Sequence, residues 1–190
     1  MPTQVKVQTP EGVRTIALSD VRPYWLYDTA TIAAADTEHY FFRTPENKTL
    51  VDTNLRQFST IQVGWTFDIS TIRVVPRVAI PIADMEILFA NTVTTFLREG
   101  DIEIFTLPTV MLNAGCGLFG ATTNTAEDIV SLGIPASGAV MKLKWPIVLY
   151  GGETFQFRTQ WNPAVSASLS ASAKVYMVLE GTLKRGVRGA

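Results

Sequence analysis

Hydrophobic and polar positions alternate along much of this chain with a period of two, the repeat of strands that bury one face. The clearest case runs from Glu153 to Trp161, where Phe155, Phe157, Thr159 and Trp161 share one parity and Gln156, Arg158 and Gln160 take the other. Just before it, Pro146 and the pair Gly151-Gly152 bracket a short apolar run, so "WPIVLYGGETFQFRTQW" reads as a hairpin. A second hairpin is expected over residues 3 to 18, with "QVKVQT" and "VRTIAL" flanking the turn "PEG", Val5 and Val7 on one face and Val13 and Ile16 opposite. The segment "EHYFFR" predicts a strand over Glu38 to Arg43. In "IQVGWTFDISTIRVVPRVAIPI" the residues Val63, Trp65, Phe67 and Ile69 share a parity that Ile72 and Val74 abandon, which predicts a bulge or bend near Ser70. "TVTTFLRE" and "DIEIFTL" are joined by a turn at Glu99, Gly100 and Asp101, and "AVMKLKW", "PIVLY" and "AKVYMVLEGTL" complete the strands. In the last of these, Val175 to Leu179 is apolar on both parities, the mark of a strand covered on two sides.

Helical spacing is confined to two places. Ile82, Met85, Leu88 and Phe89 predict a helix over about Asp84 to Ala90, and a second can start at Thr125, with Asp128 as capping partner, and end at Gly133. About eight core strands, short helices in loops and no alternating βαβ pattern give a fold class of mainly β, an antiparallel β-sandwich. The mixture of long and tight connections suits a single jelly roll. The expected division is an N-terminal arm or hairpin over residues 1–35 and a jelly-roll β-sandwich over residues 36–190. A two-stranded hairpin is marginal in water by itself, so the arm is expected to add strands to the sheet edge of a neighbouring subunit.

Composition sharpens this picture on one point. Charged residues make up 17% of the chain against roughly 25% in ordinary soluble domains, and 47% of residues are hydrophobic. Three stretches carry no charge: Ile104 to Ala126, Ile129 to Met141 and Thr159 to Ala173. The first is long enough to span a bilayer, but Pro108, Asn113, Gly115, Gly117 and Gly120 would leave backbone groups unsatisfied there. Neutral loops of this kind are what subunit interfaces use. The net charge is −1, and the densest basic patch, Lys184, Arg185 and Arg188, reads as a solvated end rather than a phosphate-binding arm. One cysteine cannot form an internal disulfide, and "MPTQVKVQTPEG" has no apolar run after its basic residue, so the product is expected to stay in the cytoplasm where it is made.

Candidate chemistry is sparse. The single histidine, His39, sits beside Glu38 without a G-x-S-x-G elbow, and one histidine cannot supply the metal set of a cupin-type jelly roll. Cys116 lies in "NAGCGLFG" with no basic neighbour to lower its pKa, and that loop lacks the G-K-[ST] of a phosphate cradle. Asp101 and Glu103 share a face, which could suggest acid–base work or a cation site, but their position at a tight turn makes solvation the default reading. Trp25, Trp65, Trp145 and Trp161 could line a sugar groove or pack a core. No catalytic residue, cofactor or metal is expected, and the chain is not read as an enzyme.

"VDTNLRQFSTIQVGWTFDISTIRVV", a loop helix, "EGDIEIFTLP", the neutral "LNAGCGLFG", "LKWPIVLYGGETFQFRTQW" and "VYMVLEGTLKRGV" follow one another in an order that resembles single jelly-roll capsid proteins of bacterial viruses, from about Asp36 onward. The resemblance implies a shell-forming structural protein with two four-stranded sheets. Its partners would be copies of itself and other virion proteins, and its location the virion, after synthesis in the host cytoplasm. The absence of a basic N-terminal arm departs from many small capsid proteins. Direct nucleic-acid binding is therefore not expected, and a shell over an internal membrane, or a minor position on a larger shell, would fit. The alternative reading is a carbohydrate- or receptor-binding β-sandwich of a virion spike or fibre.

Overall fold

A computed structural model of the chain describes residues 4–9, 12–17, 20–33, 35–44, 46–77, 80–100, 102–113, 128–129, 141–161 and 169–185. Twelve strands follow in order: β1 (Gln4–Thr9), β2 (Gly12–Ala17), β3 (Val21–Ile32), β4 (Glu38–Phe41), β5 (Trp65–Pro76), β6 (Ile80–Pro81), β7 (Thr92–Arg98), β8 (Ile102–Pro108), β9 (Asp128–Ile129), β10 (Met141–Tyr150), β11 (Phe155–Trp161) and β12 (Ala173–Arg185). Eight of them build two four-stranded antiparallel sheets, in the orders β10-β5-β12-β3 and β4-β11-β7-β8. Along the chain, every connection between consecutive members of this set crosses from one sheet to the other, save the β7–β8 turn. That alternation is the winding of a jelly roll.

The inner faces come from the alternation seen in the sequence. Along β11 the burial pattern switches at every residue, with Phe155, Phe157, Thr159 and Trp161 inside. Phe157 stacks on Phe96 of β7 with ring centroids 4.5 Å apart, and Phe42 closes against Phe155. From the opposite sheet Leu26, Phe67, Ile69, Ile72, Met177, Leu179 and Leu183 meet them. Each fully buried side chain of this size contributes about 1.5–3 kcal/mol of transfer free energy. The bulge expected near Ser70 is present: β12 pairs Glu180 with Thr71 but Gly181 with Ile69, leaving Ser70 as the extra residue. The β7–β8 hairpin turns at Glu99 and Gly100, both at positive φ.

Several expectations change. The boundary drawn between residues 35 and 36 does not separate an arm from the sandwich, because β3 pairs with β12 from Val21↔Lys184 to Ile32↔Ala173 and forms an edge of the first sheet. What stands apart is β1 with β2, a two-stranded sheet of its own, whose register sets Val5 opposite Ile16 but Val13 opposite Gln8. The Gly151-Gly152 segment does not close a hairpin: β10 pairs with β5 and β11 with β4 and β7, so the turn carries the chain between sheets. "MKLKW", the described part of "AVMKLKW", and "PIVLY" are not separate strands but two parts of β10, joined across an irregularity between Lys142 and Ile147. Val63 lies outside β5 and is exposed. β12 is central, yet only one face is sealed; Tyr176 and Val178 on the other are half-buried. Helix α1 spans Ile82–Met85 and continues as a π-helical turn over Glu86–Ala90, with buried Asp84 accepting from the Ser170 N–H and hydroxyl. Asp128–Ile129, placed in a second helix by the sequence reading, pairs instead as β9 with β6; the remainder of that segment lies outside the described residues.

Candidate functional site

His39 lies in β4 with its ring 5.5 Å from that of Phe41. Desolvation lowers its pKa to about 4, with Lys48 adding to the shift and Asp36 opposing it. A neutral imidazole packed on a phenyl ring is part of the core edge. Glu103 is exposed on β8, while Asp101, Cys116, the surrounding Gly-rich loop and most of the uncharged stretches lie outside the described residues. Among the described residues no group of three His, Cys, Asp or Glu could hold a metal ion, and no helix is long and apolar enough to cross a membrane. Lys184 and Arg185 belong to β12 rather than to a solvated tail, and Lys184 pairs with Asp68; Arg188 lies outside the described residues.

The structure separates the four tryptophans, which sequence alone could not. Trp161 is 5% exposed and Trp65 half-buried against Tyr24, whereas Trp25 is 52% and Trp145 77% exposed. Trp145 sits at the irregularity of β10, beside the exposed Lys144 and Pro146. Such an interruption and a proline on an edge strand both discourage further strand pairing.

Three surfaces offer contacts. The first is the loop over residues 49–55, strapped along the edge of β3. Asn54 donates its N–H to Tyr27 O and accepts the Tyr27 N–H through Oδ1, and its amide also donates to Trp25 O. The phenols of Tyr27 and Tyr176 donate to the carbonyls of Leu50 and Val51, which leaves both apolar side chains projecting, 77% and 58% exposed. Asp52 anchors the strap: hydrogen bonds from the Thr49 hydroxyl and N–H, then Arg77, hold its pKa at about 2. Beneath, buried Asp28 accepts from Lys48 and from the Phe42 N–H, tying β3 to the end of β4. The second surface is the outer edge of β8, which among the described residues ends its sheet and exposes Ile102 and Ile104.

A third surface is a cleft of about 400 Å³ on the outer face of the β10-β5-β12-β3 sheet, lined by Arg22, Trp25, Ser70, Glu180 and Thr182 among others. Ser70, the extra residue of the bulge, faces outward, where its hydroxyl donates to Glu180 O. Trp25 Nε1 donates to Glu180 Oε1, and Arg73 pairs with the same carboxylate oxygen. Neither the strap nor the cleft carries a short sequence motif. Both are assembled from residues 20 to 155 positions apart.

No family model matches the sequence, and no curated protein matches it. Among solved structures, a chain from the structure of infectious bursal disease virus Gt strain is similar over 98% of this chain and 46% of that one, at 10% identity and a TM-score of 0.18. This chain therefore spans less than half the length of that neighbour, and a likeness at that score carries no argument.

Proposed function

We propose that this protein is a structural component of a virion, a single jelly roll of the kind found in bacterial viruses that associates with copies of itself and with other virion proteins into or onto an icosahedral shell. It acts without an active site, is made in the host cytoplasm and ends in the particle. A jelly roll also serves lectins and metal-dependent enzymes, so strand order by itself does not select among them.

The observation that supports the reading is where the exposed apolar side chains lie. Leu50 and Val51 are presented on a strap fixed by two tyrosines, and Ile102 and Ile104 line an unpaired sheet edge. Groups of apolar side chains held in place at loop tips and edges, as on the strap where the nearby Asp52 pairs with Arg77, are the makings of subunit contacts. An internal membrane would fit beneath such a shell, and direct contact with nucleic acid is not part of the proposal.

Size-exclusion chromatography with light scattering, followed by negative-stain microscopy of the larger species, tests it. Association that grows with protein concentration and persists at high salt is expected, because apolar contacts are not screened. Ile104→Lys should shift the distribution toward monomer without lowering the thermal midpoint. A strictly monomeric protein at every concentration and salt would sink the reading.

A further inference from the structure

We infer that the cleft on the outer face of the β10-β5-β12-β3 sheet binds a neutral saccharide, one or two pyranose rings of a glycan, with Trp25 as the stacking platform. This does not rest on the shell reading and stands or falls separately from it.

The cleft holds about 400 Å³, at the lower end of the range of small-molecule sites, roughly 300–1,000 Å³. Its lining has the two-sided character of a sugar. A pyranose presents an apolar face of C–H groups and a rim of hydroxyls that both donate and accept. The indole of Trp25 supplies a flat apolar wall that is 52% exposed, and the hydrogen bond from its Nε1 to Glu180 Oε1 fixes its orientation before any ligand arrives. Fixing it in advance removes the ordering cost that a free side chain would impose on binding. For the rim, Thr182 offers a hydroxyl, the Ser70 hydroxyl, which donates to Glu180 O, still accepts, and Glu180 keeps Oε2 as an acceptor.

Charge selects the class of sugar. The Glu180 carboxylate stands in the lining, so a phosphate or an acidic sugar would meet a negative group there. Arg73 already pairs with that carboxylate, so the site does not call for a cationic ligand either. A hydrophobic peptide would set the Thr182 hydroxyl and the free Glu180 Oε2 against apolar atoms, which a sugar hydroxyl avoids. The bulge shapes the arrangement, because Ser70 is the extra residue of β5 and lies exposed on the surface with its hydroxyl on Glu180 O.

The test uses the full chain, with a panel of neutral mono- and disaccharides and an array of neutral and acidic glycans, read by saturation-transfer NMR and by tryptophan emission. At least one neutral glycan is expected to bind. Trp25→Ala should weaken it about tenfold or more, the loss expected of an aromatic anchor, and Ser70→Ala by less. Trp145→Phe, outside the cleft, should leave binding unchanged. The thermal midpoint of each variant separates lost binding from lost folding. Absence of binding across the panel, binding that survives Trp25→Ala in a folded protein, or binding of acidic glycans alone would each overturn the proposal. A monomer that binds the glycan would defeat the shell reading and keep this one, and an assembling protein that binds none would do the reverse.

Discussion

At His39 the imidazole lies against Phe41, and burial lowers its pKa from 6.5 to about 4. The unfolded chain therefore binds a proton between pH 6.5 and about 4 that the folded protein refuses, so stability falls as the pH drops through that window and levels off below it. The difference of about 2.5 pKa units corresponds to about 3 kcal/mol at full expression. Denaturant titrations at pH 7.5 and pH 4 should show the wild type losing about that much more than His39→Gln, which lacks the proton site. Equal losses in the two proteins would show that the ring is solvated. Gly181 gives a second residue-scale expectation. A Cβ there would stand 1.9 Å from the backbone oxygen of Asp68, which no rotamer change can relieve. Gly181→Ala should therefore cost about 2–3 kcal/mol, as overpacking at a fixed backbone does. A loss under about 0.5 kcal/mol, the range of ordinary surface changes, would mean that β5 and β12 part easily at the bulge. The sequence disclosed the parity switch at Ser70 but not this demand on Gly181, which depends on a strand more than a hundred residues away.

Among the elements, β1 and β2 pair only as a two-stranded sheet, whereas the sandwich begins with β3 at Val21. Isolated two-stranded sheets are marginal in water, so this hairpin is expected to need a surface to dock on. Deleting residues 2–18 removes no strand of either four-stranded sheet. The shortened protein should keep its thermal midpoint within a degree or two of the full chain, given how little a pendant hairpin adds to two-state unfolding, and should associate more weakly in light scattering. A midpoint lowered by about 5 °C or more, the scale of a kilocalorie in a domain of this class, would place the hairpin in the core of its own subunit. Legibility varied with the source of each strand's burial. β7, β8 and β11 were readable because their alternation is clean or their turn is short. β3 is hard to recognise from the sequence, since its inward parity includes the charged Asp28, whose partners Lys48 and the Phe42 N–H lie on later segments. β10 was read as two strands because the irregularity that carries Trp145 and Pro146 breaks its pattern.

For the molecule as a whole, the sequence by itself determined that the chain is an antiparallel β-sandwich with about eight core strands, one tight β7–β8 hairpin and a bulge at Ser70. These follow from alternation and turn chemistry within windows of ten residues or so, where a side chain's parity fixes the face it shows. Only the tertiary structure decided how the strands divide between sheets, that Gly151-Gly152 leads across the sandwich, which tryptophans are buried, and that a strap and a cleft form on the outer surface. The physical reason is that pairing satisfies backbone hydrogen bonds between strands far apart in sequence: β12 lies between β3 and β5, its neighbours drawn from the first half of the chain. Many strand orders would bury the same apolar faces. Fitting Asp28 to Lys48, Gly181 to Asp68 and the tyrosine phenols to the carbonyls of Leu50 and Val51 requires one of them, and no local pattern records those distances.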